Sequence, residues 1–136
     1  MLVTIRSRGD IALATTSSGV AASMLLGGHT THSRFKIPIY DSENNGCNVS
    51  KQSATVLLIK QAKLIIWDEA TMAKKYTIES LDKLLKDTMN SETIFGGKVV
   101  VFRDNFRQTL PVITKGFKED YISASLIVSY VWNYLE

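Results

Sequence analysis

"AKLIIWDEATM", residues 62–72, is the stretch that decides how this chain is read. Leu64, Ile65, Ile66 and Trp67 make a continuous apolar run, the pattern of a strand buried on both faces of a parallel sheet. The run ends in two adjacent carboxylates, Asp68 and Glu69, and the chain then turns small and polar. In parallel α/β sheets ligands gather at the carboxyl ends of the strands. An acid placed there can hold Mg²⁺, usually through water. Its neighbour can orient or deprotonate an attacking water. A plainer role suits the same pair, with Asp68 capping the next helix and Glu69 favouring its dipole.

Working outward, "IALAT" (residues 11–15) reads as a strand that runs into the turn "TSSG". "SSGVAASMLLGG" then reads as a short helix with a Ser cap and a Gly-Gly stop. The polar stretch from His29 to Asn48, with Pro38 and Asn44-Asn45-Gly46, predicts an irregular loop. "SKQSATVLLIKQA" predicts a helix with Ser50 as its cap. In "YTIESLDKLLKDTM", Ile78, Leu81, Leu85 and Met89 fall at helical spacing, with Asp82 and Lys86 as an i,i+4 pair on the polar face. "FGGKVVVF" predicts a turn and a third apolar strand, and the remainder reads as loop with one or two short helices. The opening "MLVTIRSRGD" shows no period. Apolar strands alternating with helices predict one α/β domain built on a parallel sheet.

Composition narrows the classes without choosing among them. At 136 residues the chain is about one domain. A hydrophobic fraction of 45% beside 21% charged residues is ordinary for a globular protein. The formal charge of +3 comes from scattered Lys and Arg and does not by itself point to a nucleic acid. One cysteine, Cys47, rules out an internal disulfide and fits a reducing compartment. Cys47, His29 and His32 do not make a closed zinc spacing. No apolar run is long enough to span a membrane, and the start lacks the pattern of a signal peptide.

Three more segments carry chemistry. In "FRQTLPV" (residues 106–112), Gln108 can sense a γ-phosphate or position water, and Arg107 can pair with phosphate. A surface loop accounts for the same residues. "ATTSSGVAA" (residues 14–22) sets hydroxyls and amides at a strand-to-helix turn, suited to a phosphodiester or to a plain helix cap. "HTTHSRFKIP" offers His29, His32, Arg34, Phe35 and Lys36, which can stack on and neutralise a single strand or form a loop with one anchoring Phe.

Taken in order, these segments resemble the ATP-dependent DNA helicases of the petite-integration-frequency type, in helicase superfamily one. The likeness runs over residues 9–135 and is greatest to the plant branch that includes Helitron transposon helicases. "ATTSSGVAA" resembles that family's motif Ia, "LIIWDEATM" its motif II and "FGGKVVVF…FRQTLPV" its motif III, with "GGHTTHSRFKIP" following motif Ia. The resemblance implies a RecA-like P-loop NTPase motor domain that couples ATP hydrolysis to 5′-to-3′ movement on single-stranded DNA. It implies work in replication, repair, recombination or telomere maintenance, in the nucleus or secondarily the mitochondrion. By match to the motifs, Asp68 binds Mg²⁺, Glu69 activates water and Gln108 senses the γ-phosphate of ATP. Thr15, Thr16, Ser17, Ser18, His32, Ser33, Arg34 and Phe35 lie along the DNA.

Two departures qualify that expectation. Arg103-Asp104-Asn105 stands where the family's motif III has Gly-Gly-Asp, removing permissive backbone near the phosphates. The 136 residues contain no G-x-x-x-x-G-K-[ST], the loop that cradles phosphates. The expectation is therefore a partial first motor domain over residues 1–136, marginally stable alone, with an exposed edge at "KVVVF". The alternatives are a non-catalytic single-stranded-DNA-binding module or a decayed transposon-derived product.

Overall fold

A computed structural model describes residues 2–25, 27–38, 49–50, 52–103 and 128–134. Its centre is the strand Ala62–Asp68, here β3. Leu64, Ile65 and Trp67 are buried within it, so the uninterrupted apolar run has the cause the sequence suggested. The other strands are β1 (Ile11–Thr16), β2 (His29–Thr30) and β4 (Val99–Arg103), and all pairings are parallel in the order β2-β1-β3-β4. Parallel pairing demands crossovers. These are supplied by α2 (Gly19–Met24) between β1 and β2, α3 (Thr31–Phe35) with α4 (Ala54–Gln61) between β2 and β3, and α5 (Lys75–Met89) between β3 and β4. The expected α/β architecture is present.

The core lies between the sheet and α5. Ile78, Leu81 and Leu85 are fully buried on one face of that helix, as their spacing predicts. Each such burial contributes roughly 1.5–3 kcal/mol. They pack with Ile59 of α4, Phe35 of α3 and Trp67 of β3. Phe102 joins from β4, its ring 5.9 Å from Trp67 and 5.8 Å from Phe95.

Four local expectations are corrected. Residues 2–7 form a helix, α1, whose Arg6 guanidinium donates to the Ala12 carbonyl at 2.9 Å and ties it to β1. His29–Phe35 is not loop but a two-residue strand and a one-turn helix, capped by Thr30 accepting from the Ser33 amide. Helix α4 is capped by Ser53, which accepts from the Val56 amide at 3.3 Å, and not by Ser50. The Asp82–Lys86 pair exists at 2.9 Å, yet Asp82 is fully buried. Its carboxylate also accepts the Phe95 amide at 2.7 Å and the Tyr130 hydroxyl at 2.5 Å. Asp82 thereby fastens the tight turn Ile94–Gly97 and the C-terminal turn Tyr130–Tyr134 to α5. Burial, and then the bond to Asp82, pushes the Tyr130 hydroxyl well above the ordinary tyrosine range.

Candidate nucleotide and nucleic-acid site

The register of the sheet sets the site. Thr16 of β1 lies opposite both Thr30 of β2 and Asp68 of β3, and Asp68 lies opposite Arg103 of β4. The carboxyl edge of the sheet therefore reads hydroxyl, hydroxyl, carboxylate, guanidinium in a row. This is the edge at which parallel sheets bind ligands.

Glu69 follows at once and breaks the strand. Its backbone is left-handed, at φ 55° and ψ 40°. Its amide donates to the Arg103 carbonyl at 2.9 Å and lies 3.0 Å from Asp68 Oδ1. The expected plain role, Asp68 as cap of a following helix, is not what forms. Among the described residues Asp68 bonds the next amide only, and the three-residue turn Ala70–Met72 that follows has no side-chain cap. The left-handed kink turns the Glu69 carboxylate towards β1. There Oε2 accepts from Ser18 Oγ at 2.8 Å and from Thr16 Oγ1 at 3.3 Å.

The hydroxyls of residues 15–18 all face the acid strand. Thr15 Oγ1 donates to the Ile66 carbonyl at 3.3 Å, and the Trp67 indole N–H donates to Ser17 Oγ at 3.0 Å. Ser18 Oγ, besides holding Glu69, accepts the Ala21 amide at 3.2 Å and caps α2. The Thr15 and Thr16 side chains are fully buried in this structure. Ser17 and Ser18 are half-buried at the turn itself.

The second expected group divides. Phe35 is 0% exposed and belongs to the core, so its ring presents no open face in this structure. The Arg34 guanidinium donates to the Gly27 carbonyl at 3.0 Å, in the segment leading into β2. Burial, with Arg6 nearby as the smaller cause, pulls its pKa below the ordinary arginine value. His32 Nδ1 lies 3.1 Å from the Ile37 carbonyl, whereas Ser33 and Lys36 are exposed. Arg107, Gln108 and the Asp104-Asn105 pair lie outside the described residues.

The residue pattern of the PIF1-like helicases matches residues 1–136. The chain belongs to the PIF1-like helicase family. It is 29% identical over 114 residues to an ATP-dependent DNA helicase Pif1 of Psychrobacter sp. (strain PRwf-1), covering 82% of this chain and 17% of that protein. The structure of Bacteroides Pif1 bound to ssDNA superposes with a TM-score of 0.74 at 26% identity, over 96% of this chain and 32% of that one. The Pif1 helicase from Candida albicans matches equally well, at TM-score 0.74 and 22% identity, and supports the fold alone. The four-stranded parallel sheet is thus that of the Pif1 RecA-like domain, and the chain spans about a third of the solved helicases or less.

The donor set at the edge fits a divalent metal of the kind that helicases of this family normally use with ATP. Asp68 Oδ1 accepts one amide, and no other described residue bonds the Asp68 carboxylate. Among the described residues no cluster of three or more His, Cys, Asp or Glu could hold a metal by itself. A single carboxylate at the edge suits an ion such as Mg²⁺, which takes one or two carboxylates and completes its shell with water and phosphate oxygens. Sequence reasoning missed the inward turn of residues 15–18 and the anchoring of Glu69. The available signal was the run of four consecutive hydroxyl residues, 15–18, at the end of a short strand.

Proposed function

We propose that this chain is the core of the first motor domain of an ATP-dependent 5′-to-3′ DNA helicase, of the plant and Helitron branch of the family. The observation that carries the reading is the Asp68-Glu69 pair at the carboxyl edge of the central strand, with one oxygen of Glu69 anchored by two hydroxyls. Asp68 is the residue that would hold Mg²⁺, through water, and the ion when bound neutralises charge on the phosphates. Glu69 takes up or orients the proton of the attacking water through Oε1, since Oε2 is held by Thr16 and Ser18. Gln108 reports the γ-phosphate. A single DNA strand passes over the turn at Ser17 and Ser18 and the exposed side of α3, at His32, Ser33 and Lys36. The relatives in complex with single-stranded DNA support this partner. Action in the nucleus, in repair, recombination or telomere maintenance, rests on the sequence resemblance.

The test is a pair of titrations on the 136-residue chain. A labelled dT oligomer should bind in preference to duplex of equal length, with affinity that falls steeply as salt rises. Calorimetry with Mg-ATP should show no micromolar site, because the sequence contains no G-x-x-x-x-G-K-[ST]. Indifference to dT at low salt overturns the strand reading. Micromolar Mg-ATP affinity overturns the assignment of nucleotide binding to a loop these residues lack. A non-catalytic strand-binding module is the second reading, favoured by Arg103-Asp104-Asn105 in place of the glycines of motif III.

A further inference from the structure

We propose that Thr16 and Ser18 are positioning residues that latch the Glu69 carboxylate, and that a nucleic-acid strand seated on their turn releases it. The proposal rests on the strand reading above and adds a device by which the strand regulates the acid.

Three observations converge. First, Glu69 sits in a left-handed backbone conformation, uncommon for a residue with a side chain, and that kink is what sends its carboxylate across to β1. Second, both hydroxyls donate to the same oxygen, Ser18 at 2.8 Å and Thr16 at 3.3 Å. Bonds from hydroxyls to a carboxylate are among the stronger side-chain bonds, and a low local dielectric strengthens them further. Third, three of the four hydroxyls at the turn donate inward, Thr15 to the Ile66 carbonyl and Thr16 and Ser18 to Glu69, while Ser17 Oγ accepts the Trp67 indole N–H.

A phosphate oxygen arriving at this turn needs donors. Ser18 Oγ has a single proton, now directed at Glu69, and its acceptor side faces the Ala21 amide. A phosphodiester that takes that proton removes the closer of the two restraints on Glu69. Thr16 is fully buried and stays behind, so it keeps the acid near the edge while its orientation changes. Two anions then compete for one hydroxyl, and by linkage whatever weakens the Ser18–Glu69 bond strengthens strand binding. The same contact reports strand occupancy to the water-activating side of the nucleotide site.

The experiment uses the ¹³C-labelled 136-residue chain and a dT oligomer, reading the Glu69 side-chain carboxyl resonance by NMR. In the wild type, saturation with dT moves this resonance towards the position it holds in Ser18→Gly without DNA. In Ser18→Gly it does not move further, and Ser18→Thr restores the wild-type response. Glycine caps a helix almost as well as serine, so Ser18→Gly keeps α2. A second measurement needs neither variant of Ser18. Glu69→Ala should tighten dT binding about tenfold, the scale of one charged hydrogen bond, whereas Asp68→Ala removes an equal charge and should change affinity less than about threefold. A Glu69 resonance that stays fixed while dT binds, or equal gains from the two alanine variants, overturns the latch and leaves the strand reading standing. Absence of dT binding overturns both.

Discussion

Replacing Asp82 is the most informative single perturbation of the fold. The carboxylate is fully buried and joins three elements: α5 itself, the turn Ile94–Gly97 through the Phe95 amide, and the C-terminal turn through the Tyr130 hydroxyl. In Asp82→Ala both partners lose a charged acceptor, each bond contributing roughly 1.5–3 kcal/mol, and the buried Phe95 amide gains no substitute. Little is assigned to Lys86, which is partly solvated. The expected loss is about 3–5 kcal/mol, a large share of the ~5–15 kcal/mol that holds a domain together. Asp82→Asn keeps an acceptor for the Phe95 amide and should lose only about 1–2 kcal/mol. The assay is urea unfolding followed by far-UV circular dichroism. The linkage has a definite sign. Burial and Asp82 raise the Tyr130 pKa, and the hydrogen bond to Asp82 raises that of Lys86. Groups with raised folded values contribute stability that is complete below their unfolded values and is lost as pH rises through the folded ones. Stability should therefore fall once pH passes about 10, and fall less steeply in Asp82→Asn. A loss under about 1 kcal/mol in Asp82→Ala, or identical alkaline profiles, would refute this account.

Three further outcomes follow from particular contacts. Ser53→Ala should cost about 1 kcal/mol by removing the cap of α4, whereas Ser50→Ala should cost only a few tenths; thermal melts of the pair decide between the two serines. Gly96 and Gly97 both have positive φ, but a Cβ at 96 would collide with the Leu85 carbonyl while one at 97 meets open space. Gly97→Ala should thus cost about 1 kcal/mol and Gly96→Ala at least about 3, measured by chemical denaturation. Phe35→Ala should cost about 3–5 kcal/mol of stability, since the ring is core, and any loss of dT binding should track unfolding in the same sample.

The legible parts of this molecule were those with enough residues to show a period or a run. The apolar stretch 64–67 announced a buried strand, and the 78, 81, 85 spacing announced the buried face of α5. Strand β2 has two residues, and two residues have no period; its pairing with Thr15 and Thr16 is set by the sheet. Ser50 and Ser53 are equivalent caps in sequence, and the start of α4 decides between them only through tertiary packing of Val56 and Ile59. Asp82 was misread because i,i+4 ion pairs are usually solvated. A signal was present: position 82 follows Ile78 by four and precedes Leu85 by three, which puts it on the buried face. The acid pair was found as a pair, but its anchoring was not. Which hydroxyl meets which carboxylate depends on the left-handed kink at Glu69, and no local pattern encodes that kink in a glutamate.

That kink also bears on how the sequence can change over time. A left-handed backbone costs a residue with a side chain roughly 1–2 kcal/mol, and glycine and asparagine occupy it far more readily. Position 69 is therefore biased, on steric grounds alone, towards losing its carboxylate. A copy of this segment released from its chemistry would be expected to drift there early, to Gly or Asn, with a gain in backbone comfort. The glutamate found in this chain stands against that bias, so position 69 can serve as a tell-tale for separating working copies from relics.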